Sequence, residues 1–211
     1  MIVGIILAAG ESRRMGTPKQ LLPWGDSIVL QRVIDVAAAS ALARVEVVLG
    51  HRADEIAGQI VLPEKAVLLI NEAYKEGMHS SVICGVKNAP AGAEGFMLLL
   101  GDQPLIEAPV IDRLIAAHRA AGVPGITMPV YNGRRGHPVI FAGPLREELT
   151  ALGDQGARAV VNRHAAEIRE VPLDASQVLT DMDTPEAYRA ARAQAEKDLG
   201  QESEAPRPER I

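Results

Sequence analysis

The chain has one cysteine, Cys84, among 211 residues, which excludes an intramolecular disulfide and fits a reducing, cytoplasmic setting. Positive charge is in deficit. Lys and Arg total 22 against 27 Asp and Glu, a formal net charge of -5, so the broad positive field needed for sequence-independent nucleic-acid binding is missing. Long apolar runs are missing as well. The stretch up to Leu7 is too short to span a bilayer and has no basic flank, and no other stretch approaches that length, so no membrane partner is expected. The sequence contains neither a G-x-S-x-G elbow nor an H-E-x-x-H pair, and Cys84 sits among apolar residues of an expected helix, as an inert thiol would. His51, His79, His118 and His164 lack metal-ligand spacing. Covalent hydrolases and zinc proteases therefore have little support.

With 47% hydrophobic and 23% charged residues the composition is that of a globular protein, and the length supports one substantial core. Short runs rich in Val, Ile and Leu recur at Ile2 to Leu7, Val45 to Leu49, Val67 to Ile70, Phe96 to Leu100 and Gly125 to Met128. They predict strands buried on both faces. Segments of helical spacing lie between them, at Ile28 to Ala39, Asp54 to Ile60, Ser80 to Lys87 and Pro109 to Ala121. Such alternation predicts a single three-layer α/β domain with a mostly parallel central sheet. After Met128 the segment "PVYNGRRGHPVIF" reads as a small β-hairpin excursion. Helices at Pro144 to Leu152 and Gly156 to His164, a strand at Ile168 to Val171 and a last helix from Pro185, capped by Thr184, complete a domain over 1–196. The polar, proline-containing segment 197–211 is expected to be a flexible tail.

The stretch "LAAGESRRMGTPKQL", residues 7 to 21, follows the first strand and combines small residues with several cations. Ala8, Ala9 and Gly10 permit close backbone approach, Arg14 offers a planar fork of donors and Lys19 a compact charge, a composition suited to phosphate oxygens. It matches neither G-x-G-x-x-G nor G-x-x-x-x-G-K-[ST]. Composition alone leaves a solvated β–α loop equally open. Asp102, in "FMLLLGDQP", ends an apolar strand where open α/β sheets bind ligands, and reads either as a Mg2+ ligand or as the opening of a turn before Pro104.

The stretch "LAAGESRRMGTPK" resembles the L-A-[AG]-G-x-S-x-R-M-G-x-x-K signature of nucleotidyltransferases acting on cobamide, sugar and molybdenum-cofactor substrates. Residues Met1 to about Arg192 resemble the molybdenum cofactor cytidylyltransferases, with "QLLPWGDSIVL", "NEAYKEGMHSSVICGV", "GDQPLI", "GRRGHPVIF" and "DMDTPEAY" in the expected order. The resemblance implies a Rossmann-like fold of the nucleotide-diphospho-sugar transferase type. It also implies transfer of CMP from CTP to the phosphate of molybdopterin, with Mg2+ as cofactor and a recipient molybdoenzyme or its chaperone as a partner. Residue by residue, it places Leu7, Ala8, Ala9, Gly10, Arg14 and Lys19 on the nucleotide, with Asn71, Gly77 and Ser81 beside its base and ribose.

The same resemblance gives Arg14, Lys19 and Asp102 the catalytic roles. Asp183 of the D-T-P triplet joins Asp102 as second metal ligand, in preference to Asp181; an acidic residue ahead of a helix also complements the helix dipole. Arg134, Arg135 and His137 form the candidate acceptor side. For the two arginines a solvated hairpin tip stays open. Guanylyltransferases of this group usually carry L-A-G-G and G-x-D-K, so Ala9 and "GTPK" favour cytidine. Guanylyl or other transfer to a different phosphorylated acceptor, and a noncatalytic cofactor carrier, are the alternatives.

Overall fold

The structure is a computed structural model that describes residues 1–12, 15–120, 122 and 125–204, with 198–204 by backbone alone. Arg14 lies outside the described residues, as do Ala121, expected to end a helix, and 205–211 of the expected tail.

In chain order the elements are β1 (Ile2–Leu7), β2 (Pro23–Trp24), β3 (Ser27–Ile28), α1 (Val29–Ala39), β4 (Arg44–Leu49), α2 (Ala53–Ala57), β5 (Ala66–Ile70), α3 (Met78–Asn88), β6 (Gly95–Leu100), α4 (Ala108–Ala120), β7 (Ile126–Tyr131), β8 (Arg134–Arg135), β9 (Val139–Ala142), α5 (Arg146–Thr150), α6 (Ala157–Arg163), β10 (Ile168–Pro172) and α7 (Pro185–Glu204). The main sheet runs β10-β7-β9-β6-β1-β4-β5, with β8 paired to β7. Strand β1 pairs in parallel with β4 and β6, and β5 and β10 are parallel to β4 and β7; β9 is antiparallel to both β6 and β7.

The apolar runs form central strands because both faces of the sheet are covered. Ile2 and Ile6 of β1 pack with Leu30, Ile34, Ile111 and Leu114 of α1 and α4. Val3 and Ile5 face the other way, onto Val82 and Val86 of α3 and Leu149 of α5. Burying one such side chain contributes about 1.5–3 kcal/mol, so alternate residues of one strand are each held by a different helical layer. The hairpin turns through Asn132 and Gly133, both at positive φ (48° and 73°), the conformation a two-residue turn between twisted strands requires.

Three expected boundaries move by three residues or more, and others by one or two. Strand β7 continues past Met128 to Tyr131, because Pro129 needs no N–H on its side of the ladder and its carbonyl accepts from Gly136. Helix α2 stops at Ala57, where the Gly58 N–H closes onto the Asp54 carbonyl. Helix α7 continues to Glu204, so 197–204 of the expected flexible tail is helical.

From β1 the chain moves outward to β4 and β5, then crosses back to β6 on the other side of β1. That reversal opens a crevice at the carboxyl ends of β1, β4 and β6. Among the described residues, no helix is long and apolar enough to cross a membrane.

Candidate active site

A cavity of about 440 Å³ occupies that crevice, walled by Leu7 to Ser12, Lys19, Gln20, Tyr74, Gly77, Ser81, Asp102 and Asp183 among others. Its floor is the chain leaving β1. The Ala8 N–H donates to the Val48 carbonyl at 3.0 Å, and the Ala9 carbonyl accepts from the His51 N–H at 3.2 Å. The path is tight on both sides. A Cβ on Gly101 would stand 2.9 Å from the Ala8 Cβ, and one on Gly50 would stand 2.9 Å from the Ala9 Cβ and 2.5 Å from the Tyr74 Cβ. Ala9 lines the cavity but is 5% exposed, its methyl lying against Gly50.

Gln20 fixes this floor. It is 5% exposed, and its amide donates to the carbonyls of Ala8 at 2.7 Å and Gly10 at 3.3 Å. Ser12, at φ 52°, closes the loop through its Oγ, which accepts from the Lys19 N–H at 3.0 Å. These bonds aim the Lys19 side chain across the cavity. Its Nζ donates to Asp102 Oδ2 at 2.5 Å and to Asp183 Oδ1 at 2.7 Å. Burial pulls the Lys19 pKa down, but the adjacent Asp102 and Asp183 carboxylates outweigh it and hold the pKa above its ordinary value. The ammonium therefore stays charged.

Asp102 follows β6 and Asp183 precedes α7, so the two carboxylates come from segments far apart in sequence and converge on one nitrogen. Two converging carboxylates are hard oxygen donors of the kind Mg2+ and Mn2+ accept, with phosphate oxygens and waters completing the shell. Among the described residues no group of three or more His, Cys, Asp or Glu side chains could hold a metal ion.

The second wall is the start of α3. Gly77 takes φ 116° ahead of the helix, and Gly77, Met78 and Ser81 face the cavity. A helix N-terminus favours anionic groups there. Asn71 stands behind this wall and is not a lining residue: it is 5% exposed and its amide donates to Ser80 Oγ at 2.8 Å and Ser81 Oγ at 3.0 Å.

Arg134 and Arg135 are not among the lining residues. Both are exposed, and Arg135 Nε pairs with Glu170 at 2.7 Å. His137 lies beneath the site. Its backbone N–H donates to the Val178 carbonyl at 2.9 Å, and its Nδ1 is buried without a hydrogen-bond partner. Burial pushes its pKa down, against the pull of Asp181, the Leu98 carbonyl and Asp102, so the ring is neutral near pH 7. Cys84 is half-buried on α3, and burial with the nearby Glu46 pushes its thiol pKa up, as suits an unreactive side chain.

Gln20, Ser12, Tyr74, Lys75 and Asp181 also line the cavity without having been singled out as ligands in the sequence. Asp181 had been weighed there against Asp183, and Gln20 left a trace as an amide directly before the apolar "LLPW".

A tightly held floor of small residues, a charged lysine and paired carboxylates at the switch point of a mostly parallel sheet suit an α/β protein of the nucleotidyltransferase type. Comparison with known proteins narrows the class: residues 4–168 match the model of the MobA-like NTP transferase domain, and the chain belongs to that family. The molybdenum cofactor cytidylyltransferase of Escherichia coli is 26% identical over 89% of this chain and 94% of its own. Nicotine blue oxidoreductase of Paenarthrobacter nicotinovorans is 28% identical over 88% and 93%. The crystal structure of Rv0371C from Mycobacterium tuberculosis in complex with manganese superposes with a TM-score of 0.76 at 29% identity, covering 91% of this chain and 97% of that one.

Proposed function

We propose that the protein transfers CMP from CTP to the phosphate of molybdopterin, releasing pyrophosphate, and hands the product to a molybdoenzyme or its chaperone. The observation that carries the reading is the convergence of Lys19, Asp102 and Asp183 at the edge of a cavity floored by Ala8 to Gly10. In the reaction an oxygen of the acceptor phosphate forms a bond to the α-phosphorus of CTP. The bond to the bridging oxygen of the β-phosphate breaks, and pyrophosphate leaves with the electron pair. A phosphate monoester is largely ionised near neutral pH, so the protein supplies alignment and charge neutralisation rather than a strong base.

Asp102 and Asp183 would hold Mg2+, which when bound supplies neutralisation of phosphate charge; the manganese named with the mycobacterial relative supports a divalent ion. Lys19, with Arg14 from the same loop, stabilises negative charge growing toward the leaving group. The main chain of Leu7 to Gly10, with Gly77 and Ser81 opposite, receives the nucleotide, and Asn71 orients Ser81. Arg134, Arg135 and His137 take the acceptor side, which requires Arg135 to exchange Glu170 for phosphate.

The test is pyrophosphate release measured side by side with CTP and GTP, Mg2+ and molybdopterin. CTP is expected to exceed GTP by about tenfold or more in kcat/KM, and Ala9→Gly to narrow that gap. A GTP preference would reassign the base; tight cofactor binding without pyrophosphate from any triphosphate would make the protein a carrier. The similarity to nicotine blue oxidoreductase over 88% of this chain sets a second reading, oxidoreduction. Reduction or oxidation of nicotine blue by the protein, with no pyrophosphate formed, would favour it.

A further inference from the structure

The two carboxylates that meet at Lys19 sit on segments that nothing in the backbone ladder joins. Asp102 lies in the turn after β6, and Asp183 lies in the irregular stretch before α7. A neighbour of each links them. Gln103 is 4% exposed and its amide donates to Asp181 Oδ1 at 2.8 Å. Its backbone is occupied too: the Gln103 N–H donates to the Leu100 carbonyl and its carbonyl accepts from the Ile106 N–H, both at 3.3 Å. The amide thus projects from a fixed turn.

On the other segment Met182 is fully buried among Trp24, Val29 and Ala191, whereas Asp181 and Asp183 on either side of it line the cavity. Fixing Asp181 therefore fixes the direction from which Asp183 enters. Three carboxylates in one cavity repel one another, and among the described residues the Lys19 ammonium donates to Asp102 and Asp183. A neutral donor on Asp181 adds no charge to the cluster and leaves the lysine to the other two.

We infer that Gln103 is a positioning residue that, through Asp181, sets the approach of Asp183 to Asp102 and thereby the affinity of the site for a divalent ion. The inference rests on the reading of Asp102 and Asp183 as the metal-holding pair. Groups that orient metal ligands from outside typically govern about 10–100-fold in metal affinity.

The experiment uses the full chain and Mn2+ as probe, with free Mn2+ read by electron paramagnetic resonance and folding monitored by circular dichroism. Gln103→Glu sets two carboxylates against each other and is expected to weaken Mn2+ binding by about 10–100-fold. Asp181→Asn keeps an oxygen that accepts from the Gln103 amide, and is expected to stay within a few-fold of the parent. The double variant Gln103→Glu with Asp181→Asn reverses donor and acceptor while keeping shape and charge, and is expected to restore affinity to within a few-fold of the parent. Gln103→Asn, uncharged but one methylene short, is the second single variant should Gln103→Glu not fold, with the same loss expected as for Gln103→Glu. Gln103 variants that lose melting temperature but keep Mn2+ affinity would overturn the inference. So would a double variant that stays as weak as Gln103→Glu, or an Asp181→Asn that alone loses Mn2+ by about tenfold or more, which would make Asp181 itself a ligand. Asp102→Ala separates the two levels: if it binds Mn2+ like the parent, the metal-site reading fails, whereas lost binding there with unchanged binding in the Gln103 variants sinks the positioning role alone.

Discussion

The loop behind β1 and the β7–β8 hairpin are both glycine-bearing, cation-rich segments, and they could hardly be built more differently. In the loop, Lys19 is held at its backbone by Ser12 and at its ammonium by two carboxylates from distant parts of the chain. Its surroundings exclude much of the solvent that would screen the charge. In the hairpin, Arg135 pairs with Glu170, and the two side chains are 48% and 47% exposed. An exposed pair of that kind contributes about 0–1 kcal/mol. Cation density thus says little about a site; what distinguishes the loop is that partners from several elements fix where its charge points.

Breaking the well-fixed region should have the largest effect. Lys19→Ala and Asp102→Ala are each expected to lower kcat/KM for pyrophosphate release by about 10²-fold or more, with an unchanged far-ultraviolet spectrum. Near-parental activity in both would dissolve the contrast. The hairpin should respond less. Replacing Arg134 and Arg135 together by alanine is expected to raise the acceptor KM about tenfold, the scale of one charge-assisted hydrogen bond, without changing the KM for CTP. No change in either constant would leave the hairpin arginines as solvated surface.

The smallest effect sharpens the comparison through pH. Burial holds the His137 pKa below its ordinary value despite Asp181 and Asp102, so the unfolded chain takes up this proton at higher pH than the folded one. In the window between the two pKa values the unfolded state binds more protons, and stability falls as pH drops below about 6.5. Urea midpoints at about pH 5.5 and about pH 7.5 should show the loss, and His137→Gln should reduce it. His118, which burial also holds down, keeps part of the slope. An unchanged slope in His137→Gln would mean that the ring is not the group being excluded from protonation.

The sheet was readable because its central strands are parallel and covered on both faces, so β1 and β6 stand out as unbroken apolar runs and β4 as a run broken within Val45 to Leu49 by Glu46 alone. Asp102 was readable for a related reason, as the first carboxylate beyond such a run. The extent of β7 was not, because Pro129 looks like a terminator until Gly136 is seen to pair with its carbonyl. Gln20 and Gln103 escaped for a deeper reason. A buried amide is identified by the distant carbonyl or carboxylate it reaches, and periodicity carries no record of contacts across 12 or 78 positions. Asn71 was placed in the right neighbourhood, but only the side-chain geometry separates a group that lines the cavity from one that orients Ser81 behind it. Asp183 lies beyond the matched family segment, which ends at residue 168, so its position opposite Asp102 depended on the "DMDTPEAY" resemblance until the fold brought the two together.

Gly50 and Gly101 press on the loop from the ends of two neighbouring strands. For a lineage carrying this fold, that pinch divides what selection can change. The main-chain route from Ala8 to Gly10 is held from outside by Gly50 and Gly101 and from within by the Gln20 amide, so it is redrawn only by changing one of these anchors. Under the proposed function, a shift in nucleotide preference would then come from side chains hung on a held track, within reach of point mutation.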